Sequence, residues 1–216
     1  MAKHRAGRGK HRLSCPSFRS RLWIYQRKQF AKALEKSNVS PPQLISDDYG
    51  RALIFRGVRI AAAPEDRPPF AVAAVALEED TNLLMSARAE IRAPVESFGK
   101  LVEEMASFQS IEPGTVVVQT GSPLRLLTVI HDIEQTPTWR EAWVERALCA
   151  LLRETGRRGL DSLCLPVIGS LHGDMSTIRF ARLLRLALEK RPPGRLRRIW
   201  ALVLEEDIDL LLREFR

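Results

Sequence analysis

The sequence predicts an α/β three-layer sandwich: a mixed, mostly parallel sheet with helices on both faces, behind a basic N-terminal extension. Three observations predict it. Short apolar runs alternate with helix-periodic stretches through residues 47–216. The runs include continuous apolar segments such as "FAVAAVAL", Phe70 to Leu77, which suit strands covered on both sides. The apolar content is 45% of the chain with only 6% aromatic, enough for an aliphatic core.

In chain order, residues 1–12 are polar, basic and glycine-containing. Phe18, Leu22, Tyr25, Phe30 and Leu34 fall on one face of a predicted helix with Arg and Lys opposite. "SNVSPPQLISDDYG" reads as a linker, which sets an extension at 1–46 and a domain at 47–216. "RALIFRGVRIAAA" reads as one or two strands and "PFAVAAVAL" as a buried strand. Residues 86–108 carry Ile91, Val95, Phe98, Leu101, Val102 and Met105 at helical spacing, with Pro94 in the first turn. "PGTVVVQTG" and "LRLLTVIHDI" are further strands. Residues 136–159 predict a helix, with Thr138 as N-cap, Glu141 at the capping-box position and Gly156 or Gly159 ending it. "LDSLCLPVIG" is a strand and 173–190 a helix stopped by Pro192 and Pro193. "RIWALVL" is a strand and "EEDIDLLLREF" a final helix.

Charge is uneven. Residues 1–36 hold eleven Lys or Arg against one acid, Glu35, a net of +10, so with +8 overall the remainder carries −2. The pattern is a basic arm on a near-neutral body, and residues 3–36 offer contacts to nucleic acid or an anionic surface. The arm's other readings are a solubilising tail with a helix docked on the body, or an organelle transit peptide. No apolar run approaches the roughly 20 residues that span a bilayer. Cys15, Cys149 and Cys164 are odd in number and far apart, which fits a reducing intracellular compartment and no metal site.

The chemistry concentrates after the strand at 160–169. Gly169, Ser170, Leu171, His172 and Gly173 lie between an apolar run and a helix, followed by Asp174 and Met175. Glycines let a backbone approach a ligand, and a helix N-terminus supplies free N–H groups and a positive dipole end. Such a loop holds phosphate or diphosphate, or is simply a tight turn. His131, at the end of an apolar strand, is expected to be structural. Glu78, Glu79 and Asp80 are expected in a solvated loop. Trp139 and Trp143, at i and i+4, are expected to pack.

From this order of elements the second half resembles a macro domain, the fold that binds ADP-ribose and related nucleotides. Val129, Ile130 and His131 stand at that family's "viHa"-like strand end. Pro166, Gly169 and Gly173 match its "SIAFPALGTGxGG(F/Y)" segment, with Ser170 in place of threonine. Leu171 and Asp174 stand at usual glycine positions, and Met175 where an aromatic ring packs on the distal ribose. The resemblance is carried by residues 113–204. It implies an ADP-ribose-type ligand, with no cofactor. It departs in the first half, where "NAAN" and a glycine-rich loop give way to Glu78, Glu79, Asp80, Thr81 and Asn82. Asp80 and Asn82 remain possible first-loop residues, and Asp66 a possible adenine carboxylate. A carboxylate ~4 Å from a phosphate costs about 4 kcal/mol at an effective dielectric near 20.

Three functions follow as expectations. The first is a nucleotide- or ADP-ribose-binding module, or a scaffold of that fold. The second is an ADP-ribosyl hydrolase or phosphoesterase using Asp80, Asn82 or His172, against which the altered first loop weighs. The third is nucleic-acid or surface binding through the arm.

Overall fold

The computed structural model describes residues 51–85, 110–191 and 194–216. The helices expected over 18–34 and 86–108, the linker, and Pro192 and Pro193 lie outside them. Among the described residues seven strands form one sheet. They are β1 (Arg51–Phe55), β2 (Val58–Ala63), β3 (Ala74–Asp80), β4 (Val116–Gln119), β5 (Leu124–His131), β6 (Ser162–Pro166) and β7 (Arg198–Leu202). Their order is β1-β2-β7-β6-β3-β5-β4. The five central strands run parallel, and β1 and β4 close the edges antiparallel.

β1 and β2 form a hairpin because Arg56 and Gly57 both adopt left-handed backbone, φ 49° and 79°. That two-residue turn matches the twist of the strands it joins. The run "PFAVAAVAL" starts as a strand only at Ala74, and β3 continues through Glu78 and Glu79 to Asp80. The expectation of a solvated acidic loop is therefore corrected. β3 is held by parallel pairing with β5 out to Asp80 opposite His131, with a bulge between Glu79 and Asp80.

Helix α1 spans Glu141–Arg157, α2 spans Thr177–Lys190 and α3 spans Ile208–Arg213 after a single 3₁₀ turn at Glu205–Asp207. α1 packs on β4 and β5, α3 packs on β1 and β2, and α2 touches both helices. Leu148, Leu151, Phe180, Leu184 and Leu188 are buried against Ile60, Leu163 and Ile199.

Two expected caps differ from the structure. α1 begins at Glu141 with Arg140 at the N-cap position and no side-chain cap. The capping box at Thr138 does not form, because the Thr138 carbonyl accepts the Asp132 N–H at 2.7 Å and Trp139 bridges to His131. α2 begins at Thr177, three residues after Asp174, and its cap is Ser176, whose Oγ accepts the Arg179 N–H at 3.4 Å. Gly159, at φ 64°, follows the end of α1 as the glycine signal required.

Candidate functional site

β6, β3 and β5 lie side by side and end at the same edge of the sheet. In parallel α/β sheets that edge is where ligands collect. The segment Val167–Ser176 leaves β6 there and leads to the N-terminus of α2. Its shape is set by Gly169, at φ 88°, where a Cβ would sit 3.2 Å from Met175 Cβ and 3.4 Å from Val144 Cγ2. Gly173 is required for space alone, since a Cβ would fall 2.5 Å from the Gly169 carbonyl and 2.5 Å from Trp139 Cε2. Trp139 therefore packs as expected, and it packs over this loop.

The remaining loop residues divide into those that build the turn and those that face outward. Ser170 closes it, with its Oγ donating to the Val167 carbonyl at 2.6 Å and its N–H to the same oxygen at 3.2 Å. Met175 is 4% exposed and belongs to the core, and its N–H donates to the Gly169 carbonyl at 3.3 Å. Leu171 is half-buried, and His172 and Asp174 are exposed. The N–H groups of Leu171, Gly173 and Asp174 donate to no acceptor among the described residues.

His131 is buried, and its Nε2 donates to Glu78 Oε1 at 2.6 Å. The His131 ring meets the His172 ring edge-on, with centroids 5.7 Å apart. The second oxygen of the same carboxylate, Glu78 Oε2, accepts the Gly169 N–H at 2.8 Å. Glu78 is thus a bridge, only 6% exposed, between the end of β5 and the loop after β6. Nothing in "VALEED" signals this, because both its partners are distant in sequence.

The first loop is built differently from the second. Asp80, 1% exposed, accepts the N–H groups of Asn82 at 2.7 Å, Leu84 at 3.0 Å and Met85 at 2.9 Å. Glu79, fully buried, accepts those of Asp80 at 3.1 Å and Met85 at 2.7 Å. The Thr81 N–H goes to the His131 carbonyl and the Leu83 N–H to the Asp80 carbonyl. Every backbone N–H from Asp80 to Met85 therefore has an internal acceptor. Asn82 is half-buried at the turn. The carboxylates are tolerated in the interior because each meets backbone donors, which favours the charged form of a buried acid.

Asp66 follows β2, exposed and 3.9 Å from Arg67. Beside it, burial and then the Asp66 charge push Glu65 up to about 7. A groove of about 480 Å³ lies between the Glu112–Thr115 turn and α1, beside Glu145, Arg146 and Cys149. It shares no residue with the loop after β6, and Arg146 there is already paired with Glu112 at 2.8 Å. The strand-end location and the outward N–H groups identify the loop as the better candidate. Among the described residues no group of three His, Cys, Asp or Glu is placed to hold a metal. No described helix is long and apolar enough to cross a membrane.

The strand order and helix layer are those of the macrodomain fold. The macrodomain of Oceanobacillus iheyensis, as a single-site glycine-to-valine mutant with ADPR, superposes with a TM-score of 0.56 at 15% identity, covering 76% of this chain and 96% of that one. The same macrodomain with ADP gives 0.56 at 14% identity over 76% and 94%. The Trypanosoma brucei macrodomain in complex with ADP-ribose gives 0.53 at 16% identity over 93% and 92%. The chain is therefore a divergent version of that fold. No protein-family model matches its sequence, and no curated protein sequence does.

Proposed function

We propose that this chain is a binding module for an ADP-ribose-type nucleotide, held by its phosphate on the Gly169–Gly173 loop. One observation carries the reading. Gly169 turns a loop at the carboxyl ends of three parallel strands, and the N–H groups of Leu171, Gly173 and Asp174 face no internal acceptor among the described residues. Oriented backbone donors of this kind form an anion-binding concavity. The ligands named for similar folds, ADP-ribose and ADP, support the choice of nucleotide. His172 stands at the rim, and Met175 and Ser170 support the loop from within.

The reading is of binding and not of turnover. Asp80 is committed to three backbone N–H groups, and His131 to Glu78, so neither is free to act as a base on bound ligand. Calorimetric titration of the full chain with ADP-ribose tests the reading. Saturable heat is expected from the wild type and its loss from Gly173→Ala, with both proteins folded by circular dichroism. Absence of heat from folded wild-type protein contradicts it. The basic arm, residues 3–36, is a separate proposal for nucleic acid or an anionic surface. Salt-dependent binding to duplex DNA should then disappear on deletion of residues 1–36.

A further inference from the structure

We infer that Glu78 is a specificity-determining residue, which tunes the site to a single phosphate and against a diphosphate. The inference rests on the nucleotide-binding reading above and deepens it. A diphosphate needs donors on both of its phosphates. Here the two loops at the strand ends offer them unequally. From Asp80 to Met85 every N–H is bonded internally, mostly to the carboxylates of Glu79 and Asp80. Among the described residues that side presents no backbone donor. The donors that remain lie on one loop, at Leu171, Gly173 and Asp174.

Glu78 divides the two sides. Its Oε2 takes the Gly169 N–H, the first donor of the loop, and its Oε1 is fixed by His131 Nε2. The carboxylate is thus locked within hydrogen-bond reach of the phosphate loop and between it and the first loop. Groups that face it are the imidazole of His131 and, edge-on to that ring, His172. Glu79 and Asp80 follow it on the same strand and add negative charge behind it. A phosphate seated on Leu171 and Gly173 sits beside one fixed carboxylate. A second phosphate extending toward β3 meets that carboxylate and a turn at 80–85 whose donors are all occupied. Like charges at such range repel strongly when water is excluded. The site should therefore distinguish ligands by phosphate number, with AMP favoured over ADP relative to a site with two open loops.

The test is calorimetric titration of the full chain with AMP, ADP and ADP-ribose, for the wild type and for Glu78→Gln. Glutamine keeps the shape, can still accept the Gly169 N–H, and removes the charge. The expected result is a wild type that binds AMP at least as tightly as ADP. In Glu78→Gln, ADP binding should tighten by about tenfold or more, with a smaller gain for AMP. A wild type that binds ADP about tenfold tighter than AMP overturns the inference, and this arm stands even if the variant fails to fold. So does a folded variant whose ADP affinity is unchanged or lower, which is the outcome of a merely structural bridge. In both of these cases the binding reading survives. If folded wild type and variant bind none of the three nucleotides, the reading and the inference fall together.

Discussion

Replacing Gly57, Gly169 and Gly173 singly by alanine separates backbone strain from lack of space in the loop after β6. At Gly57 the backbone is left-handed, φ 79°, but a Cβ meets nothing within 4 Å. The cost is conformational only, about 1–2 kcal/mol for an L-residue, reduced by the lower entropy of the unfolded chain. A net loss of about 1 kcal/mol lowers Tm by about 2–4 °C in a chain of this size. At Gly173 the backbone is ordinary and the space is absent. The new Cβ stands 2.5 Å from both the Gly169 carbonyl and the Trp139 ring, whereas ordinary contacts begin at 3.4 Å. Either the loop or the indole must move by nearly an ångström. Overpacking of that degree costs about 2–3 kcal/mol, or ~5–10 °C. Gly169→Ala combines φ 88° with a 3.2 Å contact to Met175 and should fall between the two. Thermal melts followed by circular dichroism read all three. A Gly173→Ala protein that melts no lower than Gly57→Ala would refute the placement of Trp139 over the loop.

The remaining predictions concern ionisable groups. Glu65 is held up at about 7 against an ordinary 4.5. A carboxyl raised in the fold contributes its stability below its unfolded value and loses it as pH rises through 7. Denaturant midpoints should therefore decline between pH 4.5 and 7 by an increment that Glu65→Gln removes, the partial exposure of the group keeping the increment small. An identical pH slope in the variant would refute this. Burial, with Glu65 nearby, pushes the Cys164 thiol above its usual range. In a Cys15→Ser background, Cys164 should resist an aromatic disulfide reagent until the protein is unfolded, and labelling in the native state would contradict its position in β6.

Much of the architecture was legible where local chemistry and tertiary demand agree. "FRGVR" marked a two-residue turn because Arg56 and Gly57 need positive φ there. The β-branched and apolar runs placed β4 to β7, and Gly169 and Gly173 marked the loop. What could not be read was set by partners distant in the chain. Glu78, Glu79 and Asp80 look like a polar loop because acids oppose strand burial. They are buried because backbone N–H groups at Gly169 and at 80–85 receive them. Thr138 has the spacing of a capping box, but its carbonyl is drawn into a bridge at the end of β5 instead. Asp174 was the nearer cap by position, and Ser176 won it because Asp174 lies out on the loop.

The central claim is that a phosphate rests on the backbone donors of the loop after β6. Amide NMR of the full chain during titration with ADP-ribose tests it most directly. Saturable shifts of the Leu171, Gly173 and Asp174 N–H resonances are expected, with those of Asn82, Leu84 and Met85 nearly still because their donors are already occupied. Saturable shifts centred on 80–85 or on the groove beside Arg146, with the Gly169–Asp174 resonances unmoved, would contradict it.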